Sequence, residues 1–263
     1  LQPGRIPIAG KISTMVFDKT GTITKDGMDF DAVIPVEGAK FGQKVSFLPN
    51  DDDEEKITEV NRVKVRAEVP DRLRHALASC HTVAMLRDGT LVGNHVEVSM
   101  VTLTGWTIGE TVLHSPTGDE ALEVVKKLDF DHCRMTSGVV VRNSATKQLV
   151  VYVKGSYEKI KSISEAANVP ATYDEVTQKC AKDGYYTLGI ASKPLPQSLT
   201  TQQIANMTRD SLEAGLSICG LLLFRNEMKR DSPDAIRELK KGSIRSVICT
   251  GDNALTGISI GKE

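Results

Sequence analysis

Two short runs hold the residues whose types and spacing suit chemistry. One is Asp18-Lys19-Thr20-Gly21-Thr22; the other is Thr250-Gly251-Asp252-Asn253. Within them the candidates are Asp18, Thr20, Thr22, Thr250 and Asp252. The mix fits phosphoryl transfer. An aspartate is ionised at neutral pH, its ordinary pKa being about 3.9. It can attack phosphorus and form an acyl phosphate that is hydrolysed later. Carboxylate and carbonyl oxygens suit Mg²⁺, which offsets crowded negative charge. Hydroxyls, the N–H groups of glycine turns and the amino end of a helix after Asn253 suit phosphate oxygens. The bland alternative is a polar turn after a strand. Five fixed residues arise by chance about once in ten thousand chains of this size. The second run alone is weaker, because turns rich in Gly, Asp and Asn are common.

Both runs need elements to position them. Ile12–Phe17 and Arg245–Thr250 are short, apolar and β-leaning, and read as buried parallel strands ending at the two runs. In open α/β sheets such carboxyl ends converge on one crevice, where ligands bind. Ser232–Lys241 reads as a helix, with Ser232 as cap, Pro233 at its first position, Asp234 at its positive end and Gly242 after its last turn. Between the runs the pattern changes. Pro70–Met85, Asp119–Leu128 and Thr172–Lys182 read as helices, the last with a Thr172/Glu175 capping box and Gly184 as its stop. Val139–Val141, Leu149–Val153, Tyr185–Ala191 and Leu216–Phe224 read as strands. Asp51–Glu55 reads as a solvated acidic loop without EF-hand spacing. The layout is an α/β sheet interrupted after its first strand by a large α+β domain.

The 263 residues are 40% hydrophobic and 25% charged, with net charge -1. That is ordinary for a globular protein and offers no basic field for nucleic acid. The five cysteines, Cys80, Cys133, Cys180, Cys219 and Cys249, include no CxxC pair, so a disulfide framework or zinc site is not expected. No apolar run approaches the ~18–20 residues that cross a bilayer, and no signal peptide is visible. The chain reads as a piece of something longer.

The run DKTGT (Asp18–Thr22) followed far downstream by TGDN (Thr250–Asn253) resembles the P-type ATPases, membrane pumps whose phosphorylation domain is split by a nucleotide-binding domain. The resemblance covers essentially the whole chain. It implies a partial doubly wound, HAD-like phosphorylation domain in 1–30 and 223–263, and an α+β nucleotide-binding domain with an antiparallel sheet in 31–222. It implies that Asp18 accepts the terminal phosphoryl group of ATP, that Thr20 gives a backbone carbonyl to Mg²⁺ beside Asp18, and that Thr22, Thr250 and Asp252 contact phosphate. Lys154-Gly155-Ser156-Tyr157-Glu158 resembles the family's KGxPE motif, whose lysine lines the ATP pocket. Phe130 falls where the family stacks a ring on adenine, and Arg134-Met135-Thr136 resembles the RMS that follows. Glu97 falls where a glutamate approaches the nucleotide, Asn226 and Lys229 match the hinge back to the phosphorylation domain, and the resemblance counts Arg134, Gly155, Asn226 and Lys229 with Glu97, Phe130 and Lys154 among the ATP-binding residues. Arg5–Lys11, Lys25–Asp29, Cys80-His81 and the Asn226–Lys229 hinge look most like the P5 group, whose members move polyamines or act on membrane helices.

Departures accompany the match. Tyr157 stands where the family has proline, and Gly184–Leu188 lacks an arginine that many members carry. The GDGxND segment, the phosphate-holding lysine, the actuator domain with its TGES loop and the membrane segments fall outside the chain. The resemblance therefore implies a monomeric, cytosolic part of an integral membrane protein, an ATPase when whole and incomplete alone. Two other readings stand beside it: a nucleotide-binding module without activity, and a HAD-type phosphatase. The second is weakened because Thr20 stands where such enzymes carry a second aspartate. Phe130 alone would read as core and Lys154 alone as surface. His75, His81, His95, His114 and His132 lack metal spacing. Asn206-Met207-Thr208 fits a glycosylation acceptor by chance. Neither a P-loop nor a GxGxxG after a strand occurs.

Overall fold

The computed structural model describes residues 5–47, 59–251 and 254–262. In chain order the strands are β1 Thr14–Asp18, β2 Asp29–Glu37, β3 Lys40–Phe41, β4 Val45–Ser46, β5 Ala84–Met85, β6 Leu91–Val92 and β7 Thr107–Ile108. They continue as β8 Val112–His114, β9 Ala121–Asp131, β10 Thr136–Asn143, β11 Leu149–Ser156, β12 Tyr186–Leu195, β13 Ser217–Arg225 and β14 Arg245–Cys249. The helices are α1 Ile6–Ala9, α2 Glu59–Glu68, α3 Asp71–Ser79, α4 His95–Thr104 and α5 Tyr157–Ile163. After them come α6 Tyr173–Lys182, α7 Thr201–Asn206, α8 Arg209–Glu213, α9 Ser232–Lys241 and α10 Ala254–Ile260.

The chain forms two compact units. The first takes in residues to Asp29, Lys179–Tyr186 and Arg225 onward. Its sheet is β1 beside β14, parallel, with Thr14 opposite Arg245 and Asp18 opposite Cys249. α9 packs against β14. Pro233 sits in its first turn, but the cap residue is Asp231 rather than Ser232. Ser232 is buried, and its hydroxyl donates to the Ile23 carbonyl at 2.7 Å, so it is not free to cap.

The second unit, Phe30–Gln178 with Thr187–Phe224, is built on a sheet in the order β3-β2-β13-β12-β11-β10-β9-β8-β7, with β4 also on β2. β8 through β12 pair antiparallel in succession. The core lies where α2, α3 and α4 pack together over this sheet. Leu73, Leu77, Met100 and Val101 are buried there, as are Val140, Val151, Ile190 and Leu221–Phe224 in the strands. Phe30 stacks on Phe224 at 4.9 Å between ring centres, contacts of the kind that aromatic quadrupoles favour.

Two helix expectations are corrected. Asp119–Leu128 is not a helix but most of β9. Its pairing with β10 jumps from Val124–Val141 to Lys126–Val140, so Val125 is bulged out. A bulge breaks the period of 2 and leaves apolar residues at helix-like spacing. The helix expected over Pro70–Met85 ends at Ser79, and Ala84–Met85 is instead one arm of the β5–β6 hairpin. The acidic stretch Asp51–Glu55 lies outside the described residues. Among the described residues no helix is long and apolar enough to cross a membrane.

Candidate functional site

In the first unit Asp18 ends β1 and is exposed, and the residues after it turn sharply. Thr20 leaves helical angles at φ -77 and ψ 125, and Gly21 adopts φ 79, a left-handed value that glycine takes without steric cost. Thr20 and Thr22 are exposed. Lys19 is buried beneath the turn. The backbone N–H of Thr24 donates to the Lys19 carbonyl at 3.0 Å, and the Thr24 hydroxyl does the same at 3.0 Å.

A second segment clasps this loop. Lys25 N–H donates to the Glu227 carbonyl at 2.8 Å, and Lys229 N–H to the Ile23 carbonyl at 3.1 Å. The Lys229 ammonium donates to the Gly21 carbonyl at 2.5 Å. The Asn226 amide donates to the Gly27 carbonyl at 2.7 Å, while its own Oδ1 is buried without a partner. Asn226 and Lys229 therefore hold the loop in the first unit. The carbonyls of Lys19, Gly21 and Ile23 are committed, whereas the Asp18 carboxylate takes no hydrogen bond from a described residue. An exposed carboxylate that no described donor engages is the kind of oxygen a hard cation takes. Thr250 follows Cys249, the residue registered against Asp18, so the two strand ends stand side by side. Asp252 and Asn253 lie outside the described residues.

The second unit gathers Glu97, Lys154 and Gly155. Asn94 caps α4 by accepting from the Val96 N–H at 2.9 Å, and Glu97 stands in the first turn, where the helix dipole favours negative charge. Lys154, on β11, is 6% exposed and donates to Glu97 at 2.6 Å. The other Glu97 oxygen accepts from Thr82, from its N–H at 2.8 Å and its hydroxyl at 2.7 Å. Burial raises the Glu97 pKa, but the Lys154 ammonium and the Thr82 donors outweigh it, and the carboxyl is held below its ordinary value. Burial pushes the neighbouring His81 down to about 4, so it is neutral. Its Nε2 lies 2.8 Å from the Ala78 carbonyl and its Nδ1 accepts from the Val83 N–H at 3.1 Å, which assigns the proton to Nε2. Burial also raises the Cys80 thiol to about 11, which leaves it unreactive.

Gly155 follows Lys154 for a steric reason. A Cβ there would come within 2.3 Å of the Met135 carbonyl in the β9–β10 turn. Ser156 then caps α5, accepting from Lys159 N–H at 3.3 Å, and Tyr157 takes the helix's first position, the place proline favours. Thr136 is registered against Gly155 on one side and Asp131 on the other, so the β9–β10 turn lies at the same end of the sheet as Lys154. Phe130 is 49% exposed there, edge-on to His132 at 5.0 Å. Arg134 is engaged by protein, 2.5 Å from Asp210 and 3.4 Å from the buried Glu213. Sequence reasoning missed Glu213, Arg209 and Thr82. A buried glutamate shows in a sequence only through partners distant along the chain, and no local pattern announces them.

No protein-family model matches the chain. Similarity to known proteins nevertheless runs its whole length. Polyamine-transporting ATPase 13A2 of Homo sapiens is 31% identical over 285 residues, covering 100% of this chain and 23% of that protein. Probable cation-transporting ATPase catp-6 of Caenorhabditis elegans is 30% identical over 289 residues, covering 100% and 22%. The endoplasmic reticulum transmembrane helix translocase of Saccharomyces cerevisiae is 28% identical over 263 residues, covering 100% and 20%. The chain thus spans less than a quarter of the length of these curated relatives.

Proposed function

We infer that this chain, homologous along its whole length to P-type ATPases and most similar to their P5 group, is the cytosolic nucleotide-binding and phosphorylation region of such a pump. In this reading the second unit is the nucleotide-binding domain and the first is part of a HAD-like phosphorylation domain. The longer protein hydrolyses ATP and moves an ion or a polyamine across a membrane. The observation that carries the reading is the parallel register of Asp18 with Cys249, which sets the exposed carboxylate level with the loop that opens at Thr250.

An Asp18 carboxylate oxygen attacks the γ-phosphorus of ATP. The new O–P bond gives an acyl phosphate, the bond to the β–γ bridging oxygen breaks, and ADP leaves with that electron pair. The Asp18 carboxylate and the Thr20 carbonyl would hold Mg²⁺, which neutralises charge on the phosphates when bound. Thr22, Thr250 and Asp252 would contact the phosphoryl group. In the second unit Phe130 offers a ring face to adenine, Glu97, Lys154 and Gly155 line the pocket, and Lys154 supplies positive charge for the phosphates. Asn226, Lys229 and Arg134 act by holding these loops in shape.

Calorimetric titration with ATP tests the nucleotide half. Wild-type chain is expected to bind, and Phe130→Ala and Lys154→Ala each to weaken binding. Base stacking of ~1–3 kcal/mol makes the first loss roughly 5- to 150-fold. Undiminished binding in both variants would put the pocket elsewhere. Transfer is read separately, as acid-stable phosphate label from ATP. Label that persists in Asp18→Asn would remove Asp18 as the acceptor.

A further inference from the structure

The end of β9 that carries Phe130, and the turn after it, are held by one guanidinium. Arg209, at the start of α8, donates through Nη1 to the Asp129 carbonyl at 2.7 Å and through Nη2 to the Thr136 carbonyl at 2.7 Å. Those two carbonyls belong to different strands, one on each side of the turn. The Arg209 Nε donates to Glu213 at 2.6 Å. Glu213 is 3% exposed and also accepts from the Thr136 hydroxyl at 3.0 Å and from Arg134 at 3.4 Å. Within the turn, Asp131 accepts from the N–H groups of Cys133 at 2.8 Å and Arg134 at 3.1 Å.

Phe130 lies between the residue whose carbonyl Arg209 holds and the residue whose carboxylate closes the turn. The local pairing leaves it dependent on that hold. Thr136 pairs with Asp131 and Gly138 with Leu128, so Asp129 and Phe130 together face only Ser137. Such a bulge has no ladder bonds of its own to fix it. A planar, five-donor guanidinium can tie two carbonyls and a carboxylate at once, which an ammonium cannot do in the same geometry.

We propose that Arg209 and Glu213 are positioning residues for the nucleotide, pre-setting the Phe130 ring for the base. The proposal rests on the reading of Phe130 as the adenine platform. It assigns Arg134 to the same clamp rather than to the nucleotide. Its consequence is coupling. Loosening the clamp lowers affinity by making the ring order itself on binding, and that loss exists only while the ring is present.

The test is a double-mutant cycle on this chain. ATP affinity is measured by calorimetry for wild type, Arg209→Gln, Phe130→Ala and the double variant, each below its melting temperature. Arg209→Lys runs in parallel, since it keeps the charge, loses the fork and serves if Arg209→Gln does not fold. Expected is an affinity loss of about 2- to 10-fold for either Arg209 variant, the scale of one immobilised side chain. The loss should vanish in the Phe130→Ala background, while the lowered melting temperature persists there. The same loss in both backgrounds, or a lower melting temperature with unchanged affinity, overturns the proposal and leaves the clamp purely structural. If Phe130→Ala by itself leaves affinity unchanged, the adenine-platform reading fails first, and the positioning proposal with it.

Discussion

Lys154 and Glu97 meet at 2.6 Å with side chains only 7% and 13% exposed, so each is the main compensation for burying the other's charge. Breaking a buried pair by removing one partner costs about 3–5 kcal/mol, because the remaining charge is stranded. Glu97→Gln and Lys154→Met should each lose stability on that scale in urea unfolding. The combined variant, Glu97→Gln with Lys154→Met, should lose less than the sum. Additive losses would mean that the pair is not coupled.

The same pair makes stability depend on acid. The folded-state pKa of Glu97 lies below its ordinary 4.5. The unfolded chain therefore takes up this proton first as pH falls. The contribution of Glu97 is complete above about pH 4.5 and is lost below it. In Lys154→Met, the acid limb of a stability-against-pH curve should be flatter than in wild type.

His81 gives a separate window. Its ordinary 6.5 falls to about 4 in the folded chain. Between those values the unfolded state binds the proton and the folded state does not, so stability falls as pH is lowered from 6.5 toward 4. At ~1.4 kcal/mol per unit, the loss is roughly 3 kcal/mol. His81→Gln should remove most of this slope, measured by urea unfolding at pH 6.5, 5.5 and 4.5. An unchanged slope would place the titrating group elsewhere.

Gly155→Ala should destabilise the second unit by about 1–3 kcal/mol, the usual range for overpacking. The obstacle is the Met135 carbonyl, a backbone atom that cannot swing aside. Thermal melts of Gly155→Ala and of Gly251→Ala make the comparison, because an added Cβ at Gly251 meets nothing within 4 Å.

In the first unit, Ser232→Ala removes one bond to the Ile23 carbonyl, which still accepts from Lys229 N–H. The expected loss is about 1 kcal/mol. Lys229→Met frees the Gly21 carbonyl and should loosen the loop that follows Asp18. Faster hydrogen exchange at Thr24 N–H, which donates to Lys19, would report that loosening.

The sequence made some elements legible and hid others for physical reasons. β10, β11 and β13 were readable because runs such as Val139–Val141, Leu149–Val153 and Leu221–Phe224 are β-branched or apolar throughout, as strands buried on both faces are. The span of α9 was readable from Pro233 and Gly242. Its cap was not, since the partner that engages Ser232, Ile23, is more than 200 residues away. The β5–β6 hairpin has two-residue arms, too short for any period to show. Motifs brought Asp18, Phe130, Glu97 and Lys154 forward as candidates. The clamp around Glu213 could not be found that way, because its meaning lies in Asp129, Arg134 and Thr136, which adjoin it only after folding.

The pairing of β1 with β14 also sets an order of events. Thr14 and its partner Arg245 are about 230 residues apart, with the whole second unit between them. At synthesis rates of ~5–20 residues per second, β1 waits roughly 10 to 45 seconds for its neighbour. Throughout that delay Met15, Val16 and Phe17 lack the neighbour they pair with, and an unpaired apolar β-leaning segment is a template for mispairing. Early and independent collapse of the second unit shortens the distance the chain must later close. A variant that slows that collapse would therefore be expected to aggregate through the strand that bears Asp18, far in sequence from the lesion itself.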